Sequence, residues 1–329
     1  GNSFGTGQTY QWETASSISG PWTPEGSSGS NATLTRVLPP VGKTYYRCQV
    51  TCGASTVTSN IDSVIVATPF PGGVYTINSN TPTGGSNFQS FTDAMTAIGC
   101  GIAGPIVLNV APGSGPYTEQ IIMPNTLGSN SINTVTINGN GATVQYTATA
   151  ANTGILMMDG VNYVKIDSLI FKSLDATNGS GAILYNGCDF DTIMRCTFDI
   201  SSVTATASSN AGIRISATPT STSTTVSGAS NTYIANCKII GTATGNNGIY
   251  YGLYAYGPNT NNVYHNNTIT NAYLYSLYVY YGDLNVISNN LITRQTKTGT
   301  GYCYALYANS LTGGSRIVSN RIEYLGGAA

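Results

Sequence analysis

One short pattern comes round six times in residues 156–325, and it limits the fold more than any other feature of this chain. Each copy has two parts, an apolar pair two residues apart and, about ten residues on, apolar-x-x-(Leu/Cys/Asn)-x-apolar. The first parts are Leu156/Met158, Ile183/Tyr185, Ile213/Ile215, Leu253/Ala255, Leu277/Val279 and Leu306/Ala308. The second parts are Ile166/Leu169/Phe171, Ile193/Cys196/Phe198, Ile234/Cys237/Ile239, Tyr264/Asn267/Ile269, Ile287/Asn290/Ile292 and Ile317/Asn320/Ile322. Copies one and two align without a gap, and successive middle positions lie 27, 41, 30, 23 and 30 residues apart. A repeat of that length, built from short strands with no helical period, is the signature of a solenoid.

Composition narrows what such a solenoid does. Only 8% of the 329 residues are charged, against roughly 25% in an average soluble domain. The formal net charge of -1 leaves no electrostatic footprint for nucleic acid or an anionic membrane. No apolar run reaches the roughly 18 residues of a membrane span. The chain opens at GNSFG without a secretory signal and ends on GGAA without a capping element, which reads as a piece of something longer. Seven cysteines, at 48, 52, 100, 188, 196, 237 and 303, show neither CxxC pairs nor histidine partners at zinc spacing, so no metal site is expected. The polar, uncharged, tyrosine-rich composition fits an extracellular setting.

Residues 1–67 alternate like strands between Gly/Pro/Ser turns. Trp12, followed by Tyr46 two residues before Cys48, resembles an immunoglobulin-like sandwich cut short at its start, since only eleven residues precede Trp12. The resemblance implies that Trp12 sits in the core beside the cysteine. Residues 68–73, rich in proline and glycine, read as a linker. In 90–98, Phe91, Met95 and Ile98 continue a helical spacing from Phe88, with Ser90 as N-cap and Asp93 three residues on. That helix, then GPIVLNVAPGSGPYTEQIIMP, then stacked strands resembles the start of right-handed parallel β-helix proteins of the pectin-lyase-like type. The likeness covers 74–329; it implies an all-β solenoid whose helix covers the open first rung, and it is unspecific for activity.

Stacked rungs lie about 4.8 Å apart, so equal positions form ladders. Asn267, Asn290 and Asn320 fall at one position in three consecutive rungs, which suits an asparagine ladder satisfying polar groups inside a tight turn. Cys196 and Cys237 hold that position in earlier rungs, as small buried residues or as a disulfide across the ladder. The low-complexity stretch 218–230 loops out of the third rung.

Polysaccharide cleavage needs a carboxylate pair or an acidic calcium cluster with a base. Residues 239–282 contain no Asp, Glu, Lys or Arg. The best constellation is Asp189 and Asp191, able to share a face, with Arg195 and Lys165 on nearby rungs; the plainer account is solvated turn acids. The sole histidine, His265, reads as a turn residue rather than a base. Gly-rich 139–143 lacks a following helix, so no phosphate or other cofactor site is expected.

Thirteen of the 23 tyrosines lie between positions 250 and 307. With Leu253, Leu277 and Leu306 inward, Tyr254, Tyr278 and Tyr307 point outward as a column, and Tyr256 and Tyr280 make a second. Such columns suit sugar rings or another subunit; strand propensity alone also selects tyrosine. An Ig-like module joined to this β-helix start resembles large bacterial surface proteins of the type IX secretion kind, which implies adhesins, stalks and filaments at the cell surface. DSV (62–64), DSL (167–169) and DTI (191–193) also resemble their O-glycosylation sites. The expectation is an extracellular structural or adhesive protein, catalytic residues none, partnered by other copies of itself, other surface proteins or polysaccharide. A pectin-lyase-like lyase or hydrolase is the alternative.

Overall fold

The computed structural model describes residues 7–36, 40–298 and 301–323, so Leu325 of the repeat lies outside the described residues. The chain divides into two compact units, Gly1–Pro69 and Phe70–Ala329. In the first, the alternating segments form one antiparallel sheet in which Gln8–Ala15 and Gly42–Cys52 are central. Trp12 and Cys48 are direct cross-strand partners in this sheet. No second sheet faces them among the described residues of this unit, and the sandwich expected there is a single layer. The buried carboxylate of Glu13 is held by Arg47 (2.6 Å) and by the Gln49 amide (3.0 Å), partners on the adjoining strand.

The second unit is a parallel β-helix with three sheets running its length. Sheet I has seven strands, from Ile121–Met123 to Tyr304–Thr312; sheet II has ten, from Gly73–Ile77 and Asn87–Phe88 to Arg316–Val318; sheet III has eight, from Tyr117–Thr118 to Arg321–Glu323. Phe70, read as linker, belongs to this unit. Its N–H donates to Gly101 (2.7 Å) and its ring packs on Tyr75 and Phe88. The helix spans Phe91–Ile98; Ser90 Oγ accepts from the Asp93 N–H, and the Glu119 carboxylate accepts from the N–H groups of Phe91 and Thr92. These three contacts satisfy donors that a helix start leaves open. Phe91, Ala94, Met95 and Ile98 are buried in one core continuous with the rungs.

Register follows the repeat. Ile166, Ile193, Ile234, Tyr264, Ile287 and Ile317 are successive partners in sheet II. Phe171, Phe198, Ile239, Ile269, Ile292 and Ile322 are successive partners in sheet III. The exception is the first part of copy two. Leu156 and Met158 partner Ala182 and Leu184, not Ile183 and Tyr185. The turn after that strand holds one more residue than in copy one, and a slip of one residue moves a side chain to the opposite face. Ile183 and Tyr185 therefore leave the core and form a separate cluster with Met157. Opposite Phe198 and Ile239, sheet I narrows to glycine: a Cβ on Gly212 would lie 2.2 Å from Ile239 Cγ2.

From the strand Val164–Asp167 onward, each rung enters and leaves sheet II through a residue at positive φ. In the rung Asn261–Thr270 these are Asn261 (55°) and Asn266 (51°), and in the next Leu284 (53°) and Asn289 (56°). Asparagine is the residue that tolerates this conformation best after glycine. Where the residue after such a turn carries a suitably placed side-chain oxygen, that oxygen accepts the N–H of its counterpart one rung earlier. In the ladder of Asn267, Asn290 and Asn320, Oδ1 of each accepts the backbone N–H of Cys237, Asn267 and Asn290 at 2.9–3.0 Å. Each Nδ2 donates to a carbonyl of the previous rung, those of Ile234, Tyr264 and Ile287, all at 2.9 Å.

A second ladder stands five residues earlier. Asp191, Thr232, Asn262, Asn285 and Ser315 occupy it, and Asp191, Asn262, Asn285 and Ser315 each accept an N–H from the rung before at 2.9–3.0 Å. Asp191 is thus a carboxyl in an amide's place. It is 1% exposed, and its Oδ2 has no hydrogen-bond partner. Burial, with Asp189 nearby, raises its pKa well above the carboxylate range. A carboxyl whose pKa is raised by folding stabilises the fold fully below its unfolded pKa of about 3.9, and that contribution is lost as pH rises. Asp191→Asn is therefore expected to raise the urea midpoint at pH 7 and to flatten its fall between acid and neutral pH; equal pH profiles for the two proteins would contradict this. Asn290→Leu strips acceptors from two donors of Asn267, and unfolding titrations should show a loss of about 2–5 kcal/mol.

Candidate functional site: the tyrosine face of sheet I

Three strands build this face: Tyr251–Tyr256, Tyr275–Asp283 and Tyr304–Thr312. Alternation buries Leu253, Ala255, Leu277 and Val279 in the core and sends the residues between them outward. Parallel register then sets like on like. Tyr254, Tyr278 and Tyr307 are successive partners with ring centroids 5.2 and 4.7 Å apart. Tyr256 and Tyr280 pair at 5.0 Å, and the next rung places Asn309 there. A third column, Tyr251, Tyr275 and Tyr304, stacks at 5.4 and 4.9 Å. The repeated tetrapeptide Tyr-(Gly/Ser/Ala)-Leu-Tyr at 251, 275 and 304 is the sequence signal for it.

One expectation needs correction. Tyr254 is not an exposed ring: it is 6% exposed, with Tyr251 at 4.2 Å and the Arg214 guanidinium 5.3 Å from its centroid. Rings stacked along the column turn their faces to one another, so solvent meets phenol edges and hydroxyls. Arg214 caps the column from the preceding rung. Its Nε donates to Ser216 Oγ (2.9 Å) and an Nη to the Ser208 carbonyl (3.4 Å), with no carboxylate at hand. Burial lowers its pKa, and Tyr254 and Tyr251 act in the opposite direction.

The other candidate residues do not converge. Phe190 sits at a φ of 55°, so its neighbours leave the chain on different sides. Asp191 goes into the buried ladder, while Asp189 accepts from Asn231 Nδ2 (2.7 Å). Arg195 and Lys165 both go to Asp167 instead. His265 Nδ1 shares a hydrogen bond with Ser288 Oγ at 2.9 Å. Cys196 and Cys237 are buried free thiols, each directed at a carbonyl of its own strand at 3.3 Å, and no disulfide joins them. Among the described residues no group of three or more His, Cys, Asp or Glu is placed to hold a metal ion. No helix is long and apolar enough to cross a membrane.

Known protein families, characterised proteins and solved structures provide no match to this chain.

The stacking has an acid–base signature. Burial, then Tyr250 and Tyr275, pushes Tyr251 up to about 12. Burial raises Tyr254 and Tyr278 further, and Tyr264 in the core as well. Unfolded tyrosine ionises near 10, so these rings add stability in full below about pH 10 that is lost as pH climbs above it. An alkaline titration should show one group of phenols ionising in the folded protein and the rest only together with loss of the β-sheet circular dichroism signal. Complete phenolate formation in a protein that is still folded would contradict the packing described.

Proposed function

We propose that this chain is an extracellular, non-catalytic module of a larger cell-surface or filament assembly, and that it adheres to glycan through the tyrosine face of sheet I. The observation that carries the reading is the set of three in-register tyrosine columns on the outer side of one sheet. Phenol edges offer both carbon and hydroxyl, which suits a sugar polymer presenting C–H groups and hydroxyls. The low charge around them supports a neutral partner. The sequence likeness to type IX-secreted surface proteins supports an exported setting, with other copies or surface proteins beside it. A lyase or hydrolase gains no support, because the acids best placed for it are divided between a buried ladder and amide contacts.

The test separates edge from ring. Tyr278→Phe, Tyr280→Phe and Tyr307→Phe together keep the columns and remove three outward hydroxyls. Binding of the whole chain to insoluble polysaccharides should weaken about tenfold or more, as each lost hydrogen bond is worth about 0.5–1.5 kcal/mol. Thermal unfolding should stay close to that of the parent. Undiminished binding by the Phe variant, and by a Tyr280→Ser/Tyr307→Ser variant as well, would leave the columns as a packing device.

A further inference from the structure

Beside the tyrosine face the chain forms a small open cavity of about 280 Å³, lined by Pro258, Thr260, Tyr281, Asp283, Ser310 and Thr312, together with Gly282. That is near the lower end of small-ligand sites, about 300 Å³, and is the scale of one sugar ring rather than a chain of them. We propose that it is a subsite for a single neutral pyranose unit, resting on the reading that this face engages glycan. Asp283 supplies the fixed acceptor. Its Oδ1 accepts from Thr312 Oγ1 at 3.1 Å, and it makes no ion pair with any described Lys or Arg. A carboxylate left with acceptor capacity beside hydroxyls of Thr260, Ser310 and Thr312 is suited to the vicinal hydroxyls of a sugar. The same charge repels a uronic acid.

The wall is held in place by backbone that costs free energy. Tyr281 lies at a φ of 60°, which is uncommon for a bulky side chain, and it turns its ring off the strand. The ring stands edge-on to Tyr280 at 4.7 Å and to Tyr256 at 6.1 Å, so the pocket is continuous with the second tyrosine column. Across from it, Gly313 also has a φ of 60°, and a Cβ there would fall 1.5 Å from Asp283 Oδ1. Glycine at 313 is what leaves the carboxylate room. The Asp283 backbone is pinned on both sides, its N–H donating to Asn259 (3.2 Å) and its carbonyl accepting from Asn261 (2.8 Å).

The experiment titrates the whole chain with methyl pyranosides of neutral hexoses, the methyl glycoside of a uronic acid and a simple alkylamine, followed by NMR. A neutral pyranoside should bind, with shifts confined to the pocket residues. The uronide and the amine should be at least about tenfold weaker, and Asp283→Asn should weaken the neutral ligand by about tenfold. Gly313→Ala, which crowds the carboxylate, should abolish binding; circular dichroism checks its fold, and Asp283→Asn keeps the inference falsifiable if that variant misfolds. The inference fails if no neutral pyranoside binds, if Asp283→Asn binds as the parent does, or if the uronide or the amine binds equally well. The two readings part cleanly. Polymer binding that survives Asp283→Asn with monosaccharide binding unchanged removes the pocket and spares the tyrosine face. Monosaccharide binding with polymer adhesion indifferent to the Phe variant removes the face and spares the pocket.

Discussion

The second unit depends on finding acceptors for backbone N–H groups that turn inward between rungs. A coil of short strands must bend at each sheet boundary, and at the two bends flanking sheet II it bends through the left-handed region. Each such bend leaves the following N–H facing the rung after it, where water does not reach. An unmet buried donor costs about 1–3 kcal/mol, so with two bends per rung the solenoid would not stand without a remedy. In the later rungs the remedy is a side-chain oxygen at the same place in the next rung. Asparagine supplies it best because the amide also donates backwards, as Asn290 does to Tyr264 while accepting from Asn267. Asn266 and Asn267, or Asn289 and Asn290, thus divide the work: the first tolerates the positive φ and the second closes the hydrogen bond.

With the interior fixed in register, the outer side of sheet I inherits the same strictness. One outward column runs Ile122, Met157, Ile183, Arg214, Tyr254, Tyr278, Tyr307. Met157 and Ile183 are buried by their surroundings, whereas Tyr278 and Tyr307 are only half-buried. Arg214 marks the change. A guanidinium can lie flat on the last ring of an aromatic stack and still donate sideways, here to Ser216 and the Ser208 carbonyl. Lysine at that position would keep the charge and lose the flat contact.

How much of this is legible in the sequence depends on whether a position is chemically uniform. The inward columns are visible because Ile, Leu, Phe and Val repeat at them, and the asparagine ladder because three consecutive rungs use one residue type. The second ladder is hidden by its chemistry. Asp191, Thr232, Asn262, Asn285 and Ser315 share only a side-chain oxygen, although each stands five residues before a member of the first ladder. The slip at Ile183 is hidden because Ala182 and Ile183 are both apolar and period two alone does not choose between them. Outward direction is legible at Tyr254, but its burial is not, since that comes from Arg214 three dozen or more residues away in sequence and one rung away in space.

The scarcity of charge follows from the same register. In a parallel solenoid each residue lies about 4.8 Å from its counterparts above and below, so a charge repeated with the repeat would stack on itself. Among the described strand partners no two like charges meet; Lys172 lies against Asp199, and Glu13 of the first unit against Arg47. Acids on turns are answered one rung away by amides, as Asp159 is by Asn186 and Asp189 by Asn231. Residues 239–282 carry this to its limit with no charged side chain at all, and it is there that tyrosine and asparagine take over the surface. A surface built this way attracts neither polyanions nor polycations at long range. Under the proposed function, selection would come at contact, by hydrogen bonds and by the shape of edges and small pockets. Asp283, set at the border of that stretch and paired with no described Lys or Arg, is then a fixed charge that a ligand at the proposed pocket would meet, and it would favour a partner with hydroxyls to donate and no negative charge of its own.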